Sequence, residues 1–255
     1  MDIETIKTLE TELCAYSVEA CRIAAQHGVM RAELCASPAE GGITPSAGAV
    51  MMARGIEGLR LHVMIRPRGG DFLYSDEEFA RMKKDIRCAR SCGADGVVFG
   101  LLTPDGDVDV VRTAALVREA GGMDVTFHRA FDMVRNMPQA LEDVIATGCT
   151  RILTSGGCNT AVEGIDTLRE LVGIAAGRIG IMAGSGVRPD TARAIAASGV
   201  DAVHFSARTM VNSGMKYRKA EISMGGCTAV PEYDRYEADP ATVEQIMAAV
   251  GLVRH

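Results

Sequence analysis

The stretch from residue 62 to residue 72 reads His62-Val63-Met64-Ile65-Arg66-Pro67-Arg68-Gly69-Gly70-Asp71-Phe72. Side chains alternate along a strand, so His62, Met64 and Arg66 share one face, and Val63 and Ile65 share the other. The first face leads directly into charged residues. This stretch therefore predicts a strand whose end carries chemistry.

The turn after this strand concentrates charge. Pro67 favours an extended conformation at Arg66, and Gly69-Gly70 permits a tight turn. We therefore expect Arg66, Arg68 and Asp71 to crowd one strand end, where they would hold an anion. The alternative is an Arg-Asp pair that only pins the loop.

Seven further segments have the character of strands, and helices separate most of them. The predicted strands are 12–17, 31–36, 60–66, 95–100, 124–129, 151–155, 178–184 and 202–207. The predicted helices include 18–27, 76–92, 108–120, 138–146, 161–172 and 189–197. Eight repeated βα units in 255 residues predict an α/β fold, a single-domain (β/α)8 TIM barrel, with a doubly wound open sheet as the alternative.

The predicted barrel spans residues 1–255 as one domain. Residues 1–11 form an N-terminal extension, and an irregular excursion at 211–240 follows strand eight. Loops after strands build the functional face of such a barrel. We interpret the excursion as a lid or as a segment that docks on another subunit, and expect a homodimer.

Composition narrows the classes of partner. The chain has 27 basic and 33 acidic residues, a net charge of −6, and only 4% aromatic residues, which argues against nucleic acid and anionic membranes as partners. The first ten residues do not resemble a secretion signal, and long apolar runs are missing, so we expect a cytoplasmic protein. The eight cysteines are then expected to be reduced thiols.

Polar and sulfur-containing residues fall at the inward phase of the predicted strands. Cys14 and Cys35 are expected to face each other across neighbouring strands, near Met64. Soft sulfur ligands suit Cu(I), for which two thiolates are sufficient. The alternative is that these thiols are small buried side chains that pack. Other inward residues are Glu12, Tyr16, Glu33, Asp124, Thr126, His128, His204 and Ser206.

A different chemistry is available to the same interior. Glu33 and His128 can act as acid and base while Arg66 and Arg68 neutralise a substrate carboxylate or phosphate. A purely structural ion network is the alternative.

Glycine-rich turns follow strands six and seven, at Ser155-Gly156-Gly157 and Gly184-Ser185-Gly186. Many barrels bind phosphate at such turns through backbone N–H groups, although a tight turn alone is the simpler interpretation. The candidate anion-binding residues are therefore Arg66, Arg68, Asp71, Arg129, Asp132, Ser155, Gly184, Ser185, Gly186 and Ser206.

Several blocks of the chain, in order, resemble the CutC family, which is named for copper homeostasis. They are Glu33-Leu34-Cys35, Glu40-Gly41-Gly42-Ile43-Thr44-Pro45-Ser46, Ile65-Arg66-Pro67-Arg68-Gly69-Gly70-Asp71-Phe72, Thr126-Phe127-His128-Arg129-Ala130-Phe131-Asp132, Ile152-Leu153-Thr154-Ser155-Gly156 and Ile181-Met182-Ala183-Gly184-Ser185-Gly186-Val187. The similarity extends from about residue 12 to the C-terminus. One departure is Tyr16, since many relatives have an acidic residue before the serine that follows it.

The resemblance implies a cytosolic, usually oligomeric TIM-type barrel that handles copper and binds Cu(I). The proposed cysteine ligands of the family fall on Cys14 and Cys35. No organic cofactor is implied.

Three functional hypotheses remain. The first is Cu(I) binding by Cys14 and Cys35. The second is a lyase, isomerase or hydrolase that acts on an anionic, phosphorylated or carboxylated metabolite through Glu33 and His128. The third is a non-catalytic scaffold, which has no need of these two inward residues.

Overall fold

A computed structural model describes residues 9–219, 221–222 and 231–251 of the chain. Eight parallel strands pair in sequence order, and the last pairs with the first, so the sheet closes into a barrel. Within the described residues, eight α-helices accompany the strands. The fold is the predicted (β/α)8 TIM barrel, and the open doubly wound sheet is excluded.

The barrel strands are β1 (Glu10–Ala15), β2 (Arg31–Leu34), β3 (Arg60–Met64), β4 (Gly96–Phe99), β5 (Asp124–Phe127), β6 (Arg151–Thr154), β7 (Gly180–Gly184) and β8 (Ala202–Phe205). The helices are α1 (Val18–Gln26), α2 (Ala47–Arg54), α3 (Asp76–Ser91), α4 (Val110–Ala120), α5 (Met137–Thr147), α6 (Ile165–Ala175), α7 (Ala192–Ala196) and α8 (Pro240–Gly251). Two short 3-10 helices occupy Pro38–Glu40 and Arg129–Met133.

The first strand lies two residues earlier than predicted. It begins at Glu10 rather than Glu12, and Ser17 caps helix α1 instead of ending the strand. A charged residue at the start of a strand predicts exposure, whereas Glu10 pairs with arginines inside the barrel. Residues 1–8 of the predicted extension lie outside the described residues.

The excursion at 211–240 was predicted to be irregular, and its two ends are strands. Strands β9 (Arg208–Asn212) and β10 (Asp234–Ala238) pair antiparallel, with Val211 opposite Arg235. The pairing joins segments more than twenty residues apart, which local sequence does not reveal. Residues 220 and 223–230, including Met224, lie outside the described part of this segment.

Alternate strand residues serve two layers. One set, including Leu13, Leu34, Val63 and Phe99, joins the large apolar core between strands and helices. The other set faces the interior, where two small apolar clusters contain Cys14, Cys35, Met64 and Val98, and Leu153, Met182 and Ala202. The remaining inward residues are mostly polar, so the hydrophobic energy of the fold lies largely outside the barrel.

Glycines at the start of strand β4 and just after its end make room for two imidazoles. A Cβ atom at Gly96 would lie 2.5 Å from Nε2 of His62, and one at Gly100 would lie 2.5 Å from Nδ1 of His128. Side chains at these two positions would therefore displace the rings on strand β3 and after strand β5. Among the described residues, the helices are all too short or too polar to cross a membrane.

Candidate functional site

A buried ion network occupies the end of the barrel where the strands begin. Arg31, which is fully buried, donates to Glu12 and, at 2.8 Å, to Glu10. Arg151 donates to the same oxygen of Glu10 at 3.0 Å. Burial favours the neutral acid at Glu12, but Arg31 and His204 outweigh it and lower the pKa of Glu12. The network holds an ionised Glu12 at mid-barrel.

His204 links this network to the functional end of the barrel. Closure of the sheet places Glu12 opposite His204, and Nδ1 of His204 lies 2.7 Å from Oε1 of Glu12. An ionised carboxylate only accepts hydrogen bonds, so the proton of Nδ1 points at Glu12. Burial opposes charge on His204, but Glu33, Cys14 and Glu12 outweigh it and raise its pKa well above the ordinary value. The other ring nitrogen faces the interior.

Cys14, Glu33 and His204 converge above Glu12. One potential ligand atom from each lies within 4.8 Å of the other two. Nε2 of His204 is 3.8 Å from Oε2 of Glu33. Burial raises the pKa of Glu33 well above the usual carboxyl range. Thiolate, carboxylate and imidazole together form a donor set for a metal ion.

The two predicted copper ligands belong to one buried sulfur cluster. Cys14, Cys35 and Met64 pack together and are 8%, 2% and 4% exposed, and Tyr16 covers their edge. Sγ of Cys35 lies 3.4 Å from Oε2 of Glu33. The neighbouring Cys35 thiol lowers the pKa of Cys14, whereas burial raises the pKa of Cys35. Within this pair, Cys14 is the more acidic thiol.

His128 lies just beyond strand β5 with one ring nitrogen unused. Nδ1 accepts a hydrogen bond from the backbone N–H of Ala130 at 3.2 Å, so Nε2 carries the proton of the neutral ring. Nε2 is buried without a hydrogen-bond partner among the described residues. Burial, reinforced by the charge of Arg66, lowers the pKa of His128 to about 3. At neutral pH the ring is a hydrogen-bond donor.

Arg66 is a buried cation that binds carbonyl oxygens. Its guanidinium donates to the carbonyl groups of Glu40, Gly42 and Gly70 at 2.6–3.0 Å and lies over the ring of Phe72. Within the described ranges, Arg66 forms no ion pair with a carboxylate, and its Nε atom is buried without a partner. Three carbonyl dipoles hold the charge in place without cancelling it.

Arg68 and Asp71 are engaged elsewhere. Arg68 pairs with Glu78 at 2.6 Å and with Asp71 at 3.0 Å, and it also donates to loop carbonyls. Glu78 and Ser75 form the capping box of helix α3, so Arg68 ties the loop to that helix. A cavity lies at the ends of the barrel strands, and neither Arg68 nor Asp71 is among its described lining residues. These contacts match the loop-pinning interpretation rather than an anion clamp.

The turn after strand β6 already contains an anion. Asp132 accepts hydrogen bonds from the backbone N–H groups of Ser155 and Gly157 at 3.0–3.1 Å. Arg129 binds Asp132 at 2.7 Å and Oγ of Ser155 at 2.9 Å. The carboxylate of Asp132 therefore occupies the cradle that we expected to receive an external phosphate, and only Arg129 of this group lines the cavity.

The second glycine turn forms part of the cavity wall. Ser185 and Gly186 have φ angles of +78° and +70°, and a side chain at Gly186 would meet Thr160 at 2.9 Å. The hydroxyl of Ser185 donates to the carbonyl of Asn159 at 2.7 Å. Gly184 is buried against Leu153, so the lining residues of this turn are Ser185 and Gly186.

One cavity of about 560 Å³ connects these features at the ends of the strands. Its described lining includes Cys14, Glu33, His128, His204 and Ser206. Four arginines also line it, namely Arg66, Arg129, Arg188 and Arg208, and Glu33 is the single lining carboxylate of the described part. Arg129 and Arg188 pair with Asp132 and Asp190 outside this lining, whereas Arg66 is held by carbonyl groups. Such a cavity attracts anionic ligands.

Sequence reasoning omitted three of these residues from the candidate site. His204 was recognised as inward-facing, but only barrel closure shows that Glu12 orients it. Arg188 and Arg208 follow strands β7 and β8, and their position after barrel strands is the signal that would have identified them.

Comparisons with known proteins place the chain in a family. The CutC family model matches residues 9–209. A CutC-family protein from Chromobacterium violaceum is 51% identical over 240 residues, covering 94% of this chain and 97% of its own length. A CutC-family protein from Bacteroides thetaiotaomicron is 49% identical and covers 90% and 93%.

A solved structure agrees with these matches. The putative copper homeostasis protein CutC from Streptococcus agalactiae superimposes with a TM-score of 0.75 at 33% identity, covering 78% of this chain and 99% of its own. An aldolase, QR15, has a TM-score of 0.61 at 17% identity, which shows a shared fold alone. The family model, the full-length relatives and the superposition agree: this chain belongs to the CutC family.

Proposed function

We propose that this chain binds Cu(I) as its cargo through Cys14 and Cys35. The observation that carries the proposal is the single buried cluster of Cys14, Cys35 and Met64. Thiolate and thioether sulfur are the ligands that Cu(I) prefers, and two thiolates suffice. The similar barrel from Streptococcus agalactiae is a putative copper homeostasis protein, which supports the same function.

The proposed setting is a reducing cytoplasm, with the protein as a homodimer. The seven cysteines among the described residues are free thiols, as Cu(I) binding requires. Light scattering coupled to size exclusion tests the dimer, and a mass equal to one chain of 27.0 kDa would contradict it.

An anaerobic Cu(I) titration against a competing chelator tests the copper proposal. The wild type should bind one Cu(I), and the Cys14→Ser/Cys35→Ser variant should lose it. Cys88→Ser/Cys92→Ser is the matched control, because Cys88 and Cys92 lie four residues apart at the exposed end of helix α3. Equal binding by all three proteins would overturn the assignment.

A second function is favoured by the buried charge of Arg66. With Nε2 of His128 unused nearby, this charge supports binding of an anionic, phosphorylated or carboxylated metabolite in the cavity. In such a lyase, isomerase or hydrolase, His128 donates a hydrogen bond to the developing negative charge. Glu33, whose pKa is raised by burial, transfers the proton.

A screen of phosphate and carboxylate metabolites by thermal shift tests this second function. Arg66→Met should remove the stabilisation seen with the wild type. Arg68→Met is the matched control, since Arg68 binds Glu78 and Asp71 outside the described cavity wall. Equal losses in both variants would contradict an anion site at Arg66.

A further inference from the structure

We infer that Cys14, Glu33 and His204 form a three-ligand site for a divalent transition-metal ion of borderline softness, of the Zn²⁺ class, with its open coordination position facing the arginine-lined cavity. The site shares Cys14 with the proposed Cu(I) site but does not depend on Cu(I) binding.

The donor set fits such an ion. The three ligand atoms lie within 4.8 Å of one another, and Nε2 of His204 is 3.8 Å from Oε2 of Glu33. Ligands of one tetrahedral Zn²⁺ lie about 3–4 Å apart, given bond lengths of about 2.0–2.3 Å. Small side-chain movements therefore close the site around an ion.

The hydrogen bond with Glu12 orients His204 as a metal ligand. Nδ1 lies 2.7 Å from Glu12, which Arg31 binds in turn from below. Metal-binding histidines characteristically direct the second ring nitrogen at a carboxylate in this way. Nε2 is thereby directed toward Glu33 and Cys14.

Glu33 supplies an independent indication of a missing partner. Its carboxyl group is 2% exposed, and within the described residues its Oε1 atom is buried without a hydrogen bond. A buried carboxyl oxygen without a partner is costly, and a bound cation satisfies it. This oxygen belongs to a residue that lines the cavity.

The charge and the chemical type of its ligands distinguish this site from the sulfur cluster. Once the ion has displaced the protons of the three ligands, the Cys14 thiolate, the Glu33 carboxylate and the neutral His204 carry two negative charges, which a divalent ion neutralises and Cu(I) does not. Cu(I) prefers Cys14, Cys35 and Met64, whereas a mixed sulfur, oxygen and nitrogen set suits Zn²⁺. Three protein ligands leave a position for an oxygen of an anion held by Arg66 and its neighbours.

Co²⁺ is the probe for this site, because tetrahedral coordination and a thiolate ligand each produce a distinct absorption band. Wild type and Cys35→Ser, the matched control, should bind one Co²⁺ with both bands. Glu33→Gln and His204→Gln should bind Co²⁺ at least about a hundredfold more weakly, since loss of a hydrogen bond to a metal ligand by itself lowers metal affinity about 10–100-fold. Addition of inorganic phosphate should shift the visible band, because phosphate takes the open position.

The variants separate this inference from the copper proposal. Cys35→Ser should lose Cu(I) binding and keep Co²⁺ binding, whereas Glu33→Gln should keep Cu(I) binding and bind Co²⁺ weakly. Thermal unfolding followed by circular dichroism confirms that each variant is folded. The inference is overturned if the wild type shows neither band, or if folded Glu33→Gln and His204→Gln both bind Co²⁺ as the wild type does. An unchanged spectrum with phosphate would refute the open position.

Discussion

Replacement of His128 by asparagine should remove an acid sensitivity from the fold. The folded protein keeps His128 neutral because burial and Arg66 lower its pKa to about 3, from an ordinary value of 6.5. Below pH 6.5 the unfolded chain therefore binds a proton that the folded protein does not bind. The stability that the neutral ring contributes is present above pH 6.5 and is lost as the pH falls from 6.5 toward 3.

The size of the effect follows from the two pKa values. Between pH 7 and pH 5, protonation of the unfolded chain at His128 lowers the free energy of unfolding by about 2 kcal/mol. Asp124, whose pKa the neighbouring imidazole of His62 lowers to about 2, contributes only at lower pH. The contribution of His62 is common to both proteins and cancels in the comparison.

Urea unfolding at pH 7, 6 and 5, with a chelator present, measures this difference. His128→Asn keeps an acceptor for the N–H of Ala130. The difference in free energy of unfolding between the wild type and this variant should therefore be about 2 kcal/mol smaller at pH 5 than at pH 7. His27→Asn is the control, because it alters a half-exposed histidine and leaves His128 in place. Parallel pH profiles of wild type and His128→Asn would refute a buried neutral imidazole.

Three further predictions concern stability. Gly96→Ala should lower the free energy of unfolding in denaturant by about 1–3 kcal/mol, because its Cβ would lie 2.5 Å from the fully buried His62 ring. Arg31→Met should cost about 3–5 kcal/mol in the same assay, because it leaves Oε2 of the buried Glu12 carboxylate without its charged partner; a change below about 1 kcal/mol would argue against an ionised network. Arg68→Met should speed hydrogen exchange in the loop at 67–75 while costing only about 1 kcal/mol or less, since its ion pairs are partly exposed.

The fold was predictable because its determinants are local. Alternation within strands and helix-ending glycines depend on neighbouring residues, so eight βα units were recognisable before any contact was known. The ribbon of strands β9 and β10 was missed because its pairing joins segments more than twenty residues apart, which local sequence does not reveal.

The candidate site was predictable only in part. The inward phase of Cys14, Glu33 and His128 follows from strand alternation, and all three line the cavity. The roles of Arg66 and Arg68 were not separable, because both follow the same strand and only three-dimensional contacts show that Arg68 is bound by Glu78. Asp132 likewise binds the turn after strand β6, which lies more than twenty residues further along the chain.

The sequence by itself therefore determined the repeating βα architecture, the family and the identity of the polar residues that face inward, because backbone geometry and side-chain alternation act over a few residues. Tertiary structure decided which of these residues meet. Closure of the barrel brings His204 to Glu12 across 192 positions, and the stagger of neighbouring strands sets which inward residues stand level with Cys14 and Glu33. Such contacts depend on the register of the whole sheet, which a short segment does not specify.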